Sequence, residues 1–341
     1  MLQVKRLRTL IDRFRDTTIL VMGDVMIDNY VWGNVSRIAA EAPVPVVDVI
    51  SESQRPGGAA NVVNNICALG GKAIICSVVG NDSPGETLRQ ELQQIGVETT
   101  GLLTDATRPT TLKTRIIVQH QQVARFDRES RAGISQELGA RLIEIVKQAI
   151  PSIDGVIIED YGKGVVTTDL VQHIVALTTQ AGKTIAVDPK TNHFSRYPGV
   201  SVITPNHHEA GAALQMTITD HDSLLSVGKQ LLEQLACQFV LITRGGEGMS
   251  LFERQRQIVT HVPAMAQEVY DVTGAGDTVV AALTLGLAAG GDPVDATLLA
   301  NAAAGVVVGK LGTATVNAGE LYESLVHMHR EHINIHRESL M

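Results

Sequence analysis

Short apolar runs rich in β-branched residues alternate with longer helical segments along most of this chain. Six such runs lie near positions 20, 75, 157, 186, 202 and 242, among them TILVMGD and DGVIIEDYG. Nearly continuous apolar runs are typical of strands that are covered on both faces. The segments between them, residues 59–69, 85–95, 135–149 and 168–181, have helical length and spacing. The alternation predicts a doubly wound α/β fold with a mainly parallel sheet.

Five of the six runs end in a polar, glycine-bearing or prolyl turn: GD, GND, EDYGKG, DPK and TPN. In open α/β sheets, ligands bind outside the carboxyl ends of the strands, so these turns are expected to meet at one crevice. The side chains that this placement brings together are Asp24, Asp160, Lys163, Asp188, Lys190 and Asn206.

Two regions interrupt the alternation. Residues 29–50 and 110–127 hold strand-like segments without a helix between them, and the second is predicted to be a hairpin that turns near His120 and Gln121. Small antiparallel strands inserted into an α/β domain suit a lid. The segment from Asn317 onward is predicted to be helical. No repeat, low-complexity tract or linker marks a second domain, so one domain is expected over the whole chain.

Charge and apolar content exclude several classes of protein. The net charge is -8, with 28 Lys and Arg against 36 Asp and Glu, and no basic run is present, so nucleic acid is not expected as a partner. No apolar run reaches the roughly 20 residues that a membrane span needs, and the N-terminus is too charged for a signal peptide. The three cysteines lack C-x-x-C spacing and suit a reducing compartment. A soluble cytoplasmic protein without a membrane partner is expected.

The stretch DVTGAGDT, residues 271–278, places a glycine-rich turn and an aspartate at the start of a predicted helix. The first N–H groups of a helix lack partners within the helix, and the helix dipole favours an anion there. Two interpretations are open: Asp277 is only the N-cap, or the turn holds the anion of a ligand while Asp277 acts on that ligand as a base. The Asp277→Asn substitution separates them, because Asn caps a helix as well as Asp but cannot accept a proton.

Two other stretches leave similar alternatives. In RPGGAANVVNNICALG, Gly57 and Gly58 open a helix and Asn61 lies in its first turn, which indicates either a simple glycine turn or a close approach of backbone to ligand. In ITPNHHEA, Asn206 and Glu209 lie three residues apart after a strand. A capping box explains this spacing as well as a magnesium–phosphate site does.

Basic residues on the predicted lid strands are either a solvated face or a site for a substrate that carries phosphate. Alternation places Lys113 and Arg115 on one face of their strand, which allows both to reach one anion. Arg125 and Arg128 lie on the second strand of the hairpin.

Three familiar motifs are incomplete. AGKT at residues 181–184 lacks the first P-loop glycine, because Leu177 stands there, and it precedes a strand. TGAGDT lacks the third glycine of a dinucleotide site, where Val279 stands. The adjacent His207 and His208 point apart on a helix, and neither they nor the C-terminal histidines are followed by a ligand at metal-site spacing, so no histidine metal site is expected.

The stretches GGAANVVNN, TPNHHEA and DVTGAGDTVVAALTLGLAAG together resemble the ribokinase-like (PfkB) family of sugar kinases over essentially the whole chain. The resemblance implies a three-layer α/β/α sandwich with a small β-strand lid, ATP and Mg²⁺ as cofactors, and a homodimer that pairs through the lid. It also implies that the backbone amides of Gly274, Ala275 and Gly276 form an anion hole for the transferring phosphoryl group. Asp277 would then deprotonate the acceptor hydroxyl.

The resemblance assigns further residues to each ligand. The Mg²⁺ ion and the ATP phosphates are assigned to Asn206 and Glu209, through water. The nucleotide is assigned to Thr243, Gly245 and Asn301. The sugar hydroxyls are assigned to Asp28, Gly57, Gly58 and Asn61.

Within the family, the chain most resembles the kinases that phosphorylate O1 of D-glycero-β-D-manno-heptose 7-phosphate for ADP-heptose and lipopolysaccharide core synthesis. The resemblance lies in GDVMIDNYVWGNVSRIAAEAPVPVV, RPGGAANV, DYGKG, VDPK, QEVYDVTGAGDTV and NAAAGVVVGKLGTATV. Such kinases occur alone or fused to a nucleotidyltransferase, and 341 residues are expected to hold the kinase only. The candidate holders of the 7-phosphate are Lys163, Lys190, Arg115 and Arg125.

Two alternative functions stay open at this point, and a third is excluded. A ribokinase-like kinase for another sugar, sugar phosphate or nucleoside would carry the same motifs. A non-catalytic sugar or nucleotide sensor is disfavoured, because a sensor has no use for the base Asp277. A nicotinamide-dependent oxidoreductase lacks its dinucleotide fingerprint.

Overall fold

The computed structural model describes residues 4–119, 121–265, 269–331 and 334–340. The helices within these residues are α1 (Val4–Asp12), α2 (Ala59–Ala68), α3 (Ser83–Gln94), α4 (Gln136–Ala149), α5 (Thr168–Gln180), α6 (His207–Ala213), α7 (His221–Leu235), α8 (Ala275–Ala288), α9 (Pro293–Val307) and α10 (Ala318–Arg330). The strands are β1 (Thr18–Gly23), β2 (Val25–Ile38), β3 (Pro45–Gly58), β4 (Lys72–Gly80), β5 (Leu102–Asp105), β6 (Thr111–Val118), β7 (Gln121–Arg128), β8 (Gly155–Glu159), β9 (Thr184–Asp188), β10 (Val202–Ile203), β11 (Phe239–Thr243), β12 (Met249–Glu253), β13 (Ile258–Val262) and β14 (His336–Ser339).

The central sheet has ten strands in the order β14-β13-β12-β11-β10-β9-β8-β1-β4-β5. The strands from β11 to β5 pair in parallel, as the alternation predicts. An antiparallel edge formed by β12, β13 and β14 completes the sheet. The prediction of a helix from Asn317 onward is right for α10 but wrong for the tail, where β14 adds to this edge.

Helices cover both faces of the sheet. In β1, Ile19 and Val21 pack into a core shared with α1, α2, α8, α9 and α10. The alternate residues Leu20 and Met22 pack into a second core, shared with α4, α5 and α7. A strand covered on both faces needs apolar residues at successive positions, which explains the unbroken run ILVM within β1. The predicted three-layer α/β/α sandwich is confirmed. None of the described helices is long and apolar enough to cross a membrane.

Helix α8 lies at the centre of the first core. Every residue from Asp277 to Gly286 is buried, because the helix packs between α2, α9 and the strands β8 and β9. Gly286 permits the close approach to α9, since a Cβ there would come within 2.9 Å of the Ala296 Cβ. The turn that precedes α8 is therefore built on a helix with no solvent-facing side over these ten residues.

A second, small sheet has the order β3-β2-β6-β7 and corresponds to the two interruptions of the alternation. The predicted hairpin is confirmed: β6 pairs antiparallel with β7, while His120 lies outside the described residues. The expectation of antiparallel lid strands is wrong for the pair β2 and β6, which run parallel. Strand β3 continues into α2 without a connecting loop, and Gly58 is both its last residue and the N-cap of α2, with φ of 57°.

Candidate active site

Asp277 lies in the first turn of α8 but is not its N-cap. The helix begins at Ala275, and the N-cap is Gly274, which adopts a left-handed conformation with φ of 78°. A side chain at Gly274 would also come within 2.7 Å of the Asn61 Nδ2. The N-cap interpretation of Asp277 is therefore wrong, because this tight turn requires glycine at the cap position.

Two neutral donors hold the Asp277 carboxylate. The Asn61 Nδ2 donates to Oδ2 at 2.6 Å, and the Tyr161 hydroxyl donates to Oδ1 at 2.8 Å. Burial raises the pKa of Asp277 to about 6, against the lowering effect of the hydrogen bonds from Asn61 and Tyr161. A carboxylate with this pKa is ionised at neutral pH and is still basic enough to take a proton, which is the combination that a general base needs.

Two further carboxyl groups face Asp277, those of the buried Glu159 and the half-buried Asp188. Oxygen atoms of Glu159, Asp188 and Asp277 all lie within 4.8 Å of one another. Burial raises the pKa of Asp188 to about 8, with the nearby Glu209 and Asp277 charges adding to the effect, and burial likewise raises the pKa of Glu159. Both carboxyl oxygens of Glu159 are buried without a hydrogen-bond partner in the described part of the chain. Oxygen ligands of this kind fit Mg²⁺, which would offset the crowded negative charge.

The capping box at the start of α6 is formed. The Asn206 Oδ1 accepts hydrogen bonds from the backbone amides of His208 and Glu209, both at 3.0 Å, and the Glu209 Oε2 accepts from the Asn206 amide at 3.0 Å. The hydrogen bond from the Asn206 amide occupies only one of the two Glu209 carboxyl oxygens. Asn206 and Glu209 also line the same cavity as Asp188. Capping and ligand binding are therefore compatible at these residues.

Three adjoining cavities form the crevice at the carboxyl ends of the strands. The first has a volume of about 300 Å³ and a mainly apolar lining, which includes Thr243, Gly245 and Asn301. The second, of about 250 Å³, is lined by Glu159, Asp188, Asn206, Glu209, Gly274 and Gly276.

The third cavity has a volume of about 780 Å³. Thr243 and Gly276 line both the first and the second cavity, and Tyr161 and Lys190 line both the second and the third. The three spaces therefore follow one another along a single crevice, with the turn from Gly274 to Gly276 at the middle one.

The third cavity, here called the cationic cavity, is lined by six Lys and Arg side chains and one carboxylate, Asp127. The six are Lys113, Arg125, Arg131, Lys163, Lys190 and Arg196.

Some of these charges already have partners. Arg125 binds Asp127 through two hydrogen bonds of 3.0 and 2.8 Å, and the Lys163 Nζ lies 2.6 Å from the Glu129 Oε2. Lys190 makes no ion pair within the described ranges. Lys113 and Arg196 also make no ion pair in the described part of the chain, so three of the six charges, including that of Lys190, are available to an anion.

Asp28 lies next to this crevice, on β2. Its buried carboxylate accepts a hydrogen bond from Arg115, which commits that guanidinium to Asp28. Arg115 is accordingly not among the residues that line the cationic cavity, whereas Lys113 on the same face of β6 is. Gly57 leaves room for the Asp28 carboxylate, because a Cβ at that position would come within 2.4 Å of its Oδ2.

Asp24 and Asp160 hold the loop that follows β8. The Asp24 carboxylate accepts hydrogen bonds from the backbone amides of Tyr161, Lys163 and Val165 at 2.9–3.0 Å. Asp160 accepts from the Gly162 amide at 2.8 Å and from the Tyr197 hydroxyl. These aspartates thus reach the strand ends, as predicted, but their bonds position Tyr161 and Lys163 within the loop.

Comparison with known proteins identifies the family. Residues 16–318 match the pfkB family carbohydrate kinase model. Bifunctional protein HldE of Pelobacter propionicus is 42% identical over 327 residues, covering 96% of this chain and 67% of that protein. Bifunctional protein HldE of Desulfatibacillum aliphaticivorans is 46% identical over 312 residues, covering 92% of this chain and 64% of that protein. The chain thus spans about two-thirds of the length of these relatives.

Solved structures show the same fold. Phosphofructokinase-2 from Escherichia coli, in complex with substrates and products, aligns with a TM-score of 0.77 at 19% identity, covering 92% of this chain and 100% of that one. Ribokinase from Arabidopsis thaliana, complexed with ribose and ATP, aligns with a TM-score of 0.73 at 17% identity, covering 91% of this chain and 98% of that one. The chain belongs to the PfkB family of carbohydrate kinases and is an ATP-dependent sugar kinase.

Proposed function

We propose that this kinase transfers the γ-phosphoryl group of ATP to O1 of D-glycero-β-D-manno-heptose 7-phosphate. The observation that carries the proposal is the cationic cavity, which adjoins the cavity of the Gly274–Gly276 turn. A chain with a net charge of -8 concentrates six basic side chains there. An acceptor sugar that already carries a phosphate explains such a concentration, because its charged end must be held away from the reacting hydroxyl.

The chain's own residues supply positioning and charge. The Gly274 and Gly276 amides at the N-terminus of α8, where the helix dipole favours an anion, would hold the transferring group. The Ala275 amide donates to the Val272 carbonyl at 3.2 Å and would have to leave that bond to join them. Asn61 and Tyr161 fix the Asp277 carboxylate, which takes the proton of the acceptor hydroxyl. Asn206 and Glu209 would hold Mg²⁺ through water, and the bound ion would neutralise charge on the phosphates.

The remaining assignments follow the crevice. The adenine end of ATP fits the mainly apolar cavity lined by Thr243, Gly245 and Asn301. Asp28 and Asn61 are proposed to orient the sugar hydroxyls, with Gly57 and Gly58 giving the backbone close access. Lys190 and Lys163 are proposed to bind the 7-phosphate, with Arg125 beside them. Arg115 would act through Asp28, which it pairs with.

An acceptor screen tests the substrate. ADP release is measured with heptose 7-phosphate, heptose without the phosphate, ribose, fructose 1-phosphate and a nucleoside as acceptors. We expect the highest kcat/KM for heptose 7-phosphate, because its 7-phosphate would fill the cationic cavity while its O1 lies beside Asp277. A higher kcat/KM for another acceptor would assign the enzyme to that substrate, and ATP binding without turnover on any acceptor would favour a sensor.

We also propose that two copies pair through the small sheet. Seven of the twelve exposed large apolar side chains of the described residues lie on or between its strands, including Ile50, Val49 and Phe126. Apolar side chains clustered on one exposed sheet are typical of an interaction surface.

Replacing Ile50, which is 68% exposed, by Glu is therefore expected to convert a dimer into a monomer. A charge buried in an apolar interface without a partner opposes association. Light scattering during size-exclusion chromatography measures the mass. Ile95→Glu is the matched control, because Ile95 is an exposed apolar residue that lies after α3, outside the small sheet. A dimer that survives Ile50→Glu, or a monomeric wild type, would contradict this interface.

A further inference from the structure

Three side chains converge at the antiparallel edge of the central sheet. His221 opens α7, His261 lies on β13 and Glu338 lies on β14. The Nε2 atoms of both histidines lie 2.8 Å from the same carboxyl oxygen, the Glu338 Oε1. One ligand atom from each of the three residues therefore fits within a sphere of metal-site size, with all three within 4.8 Å of one another.

The chemistry of this set is that of a transition-metal site. Two imidazole nitrogens and one carboxylate oxygen suit Zn²⁺, which takes three protein ligands and a water in an open tetrahedral site. In the present arrangement one oxygen accepts from both rings, so each Nε2 carries a hydrogen. A cation would replace these two hydrogens and use all three ligand atoms at once.

A supporting contact behind His261 fits the same interpretation. The Ser250 hydroxyl, on β12, lies 2.8 Å from the His261 Nδ1. Ser250 is fully buried and can either donate to that nitrogen or accept from it. Once a metal binds Nε2, the hydrogen of His261 moves to Nδ1 and is donated to Ser250, which is how the outer partners of metal-bound histidines orient the ring.

The site is open on one side. The side chains of His221, Glu338 and His261 are 52%, 27% and 11% exposed, which gives an ion an entry path and leaves space for a water ligand. His221 also lines a cavity of about 330 Å³ that includes Asp220 and Arg244. The positive charge of Arg244 disfavours cation binding at this position. The negative charges of Asp220 and Glu338 counteract it.

We propose that His221, His261 and Glu338 form a Zn²⁺ site that joins the C-terminal strand β14 to α7 and β13. The three ligands are separated along the sequence, and β14 pairs with the rest of the sheet only through β13 among the described strands. A metal at this point therefore cross-links the end of the described chain to the kinase core. The proposal is independent of the sugar that the kinase phosphorylates.

Zinc binding to the full chain is the test. The protein is stripped with a chelator and titrated with Zn²⁺ alone by calorimetry, and with Co²⁺ to record the visible bands of four-coordinate nitrogen and oxygen ligation. We expect one site per chain in the wild type. Ser250→Ala should weaken binding roughly 10- to 100-fold, as for other outer partners, and His221→Gln and Glu338→Gln should weaken it more.

The controls separate this site from unrelated histidines. His173→Gln and Glu137→Gln change exposed residues on α5 and α4 and should bind Zn²⁺ like the wild type. His221 is half exposed, so its variant keeps the sheet intact, and the circular dichroism melt should confirm this. Equal Zn²⁺ affinity in the wild type and His221→Gln would overturn the proposal, as would a wild type that binds no Zn²⁺ or shows Co²⁺ bands that persist in Glu338→Gln.

Discussion

Asp277→Asn should lower kcat by about 10² to 10⁴, the usual contribution of a general base. The fold should tolerate the change. Asn can turn its oxygen toward the Asn61 Nδ2 and its amide toward the Tyr161 hydroxyl, which accepts as well as donates. In the wild type, kcat should fall as the pH drops through about 6, because protonation of Asp277 removes the base. Steady-state ADP release across this pH range measures both effects.

The control for Asp277→Asn is Asp292→Asn. Asp292 is a true N-cap, whose carboxylate accepts from the Val294 amide at 3.0 Å at the start of α9. Because Asn caps as well as Asp, this variant should keep wild-type turnover. If Asp277→Asn kept a turnover similar to that of the wild type, Asp277 would not be the base and the mechanism proposed here would fail.

Lys190→Met should raise the KM for heptose 7-phosphate by about 10- to 100-fold, since hydrogen bonds to charged groups contribute about 1.5–3 kcal/mol. The KM for ATP should rise less, although Lys190 lines the second cavity as well as the cationic one. Initial rates at varied concentrations of each substrate separate the two constants. Heptose without the 7-phosphate serves as the probe of mechanism: the variant and the wild type should use it equally poorly.

Lys183→Met is the matched control for Lys190→Met. Lys183 precedes β9 at its amino end, whereas Lys190 follows the same strand at its carboxyl end, where the crevice lies. Both substitutions remove one positive charge, so only the position differs. A similar KM for the sugar phosphate in Lys190→Met and the wild type would remove Lys190 from the phosphate site and leave the rest of the mechanism standing.

The sequence was sufficient to predict the layers and the crevice, because both follow from local patterns. Runs such as ILVM of β1 have no polar position and therefore require cover on both faces, and parallel strands place their carboxyl ends at one edge. The same argument placed Asp188, Lys190 and Asn206 in one cavity, where the structure has them. The capping box of Asn206 was also visible as a spacing of three residues.

The contacts that sequence patterns missed depend on tertiary packing. Tyr161 and Glu159 lie inside the run IIEDYG, but nothing local indicates that the Tyr161 hydroxyl reaches Asp277, 116 residues away. The signal that could have been used is Glu159 at the end of an apolar strand. Burial of a carboxyl group is unfavourable without a partner, so a glutamate at such a position indicates a functional site. The sequence did not predict the proposed metal site for the same reason. His221, His261 and Glu338 lie on three separate elements, whereas the sequence argument about histidines considered only residues close together in the chain.

The burial of α8 on every side affects how this enzyme loses its activity on heating. Segments with few solvent-exposed groups open only when the whole domain opens, whereas many active-site loops loosen at lower temperatures. The turn that carries Asp277 begins the most enclosed ten-residue stretch of that helix. Loss of phosphoryl transfer and global unfolding are therefore expected at the same temperature, with no folded but inactive state at lower temperatures.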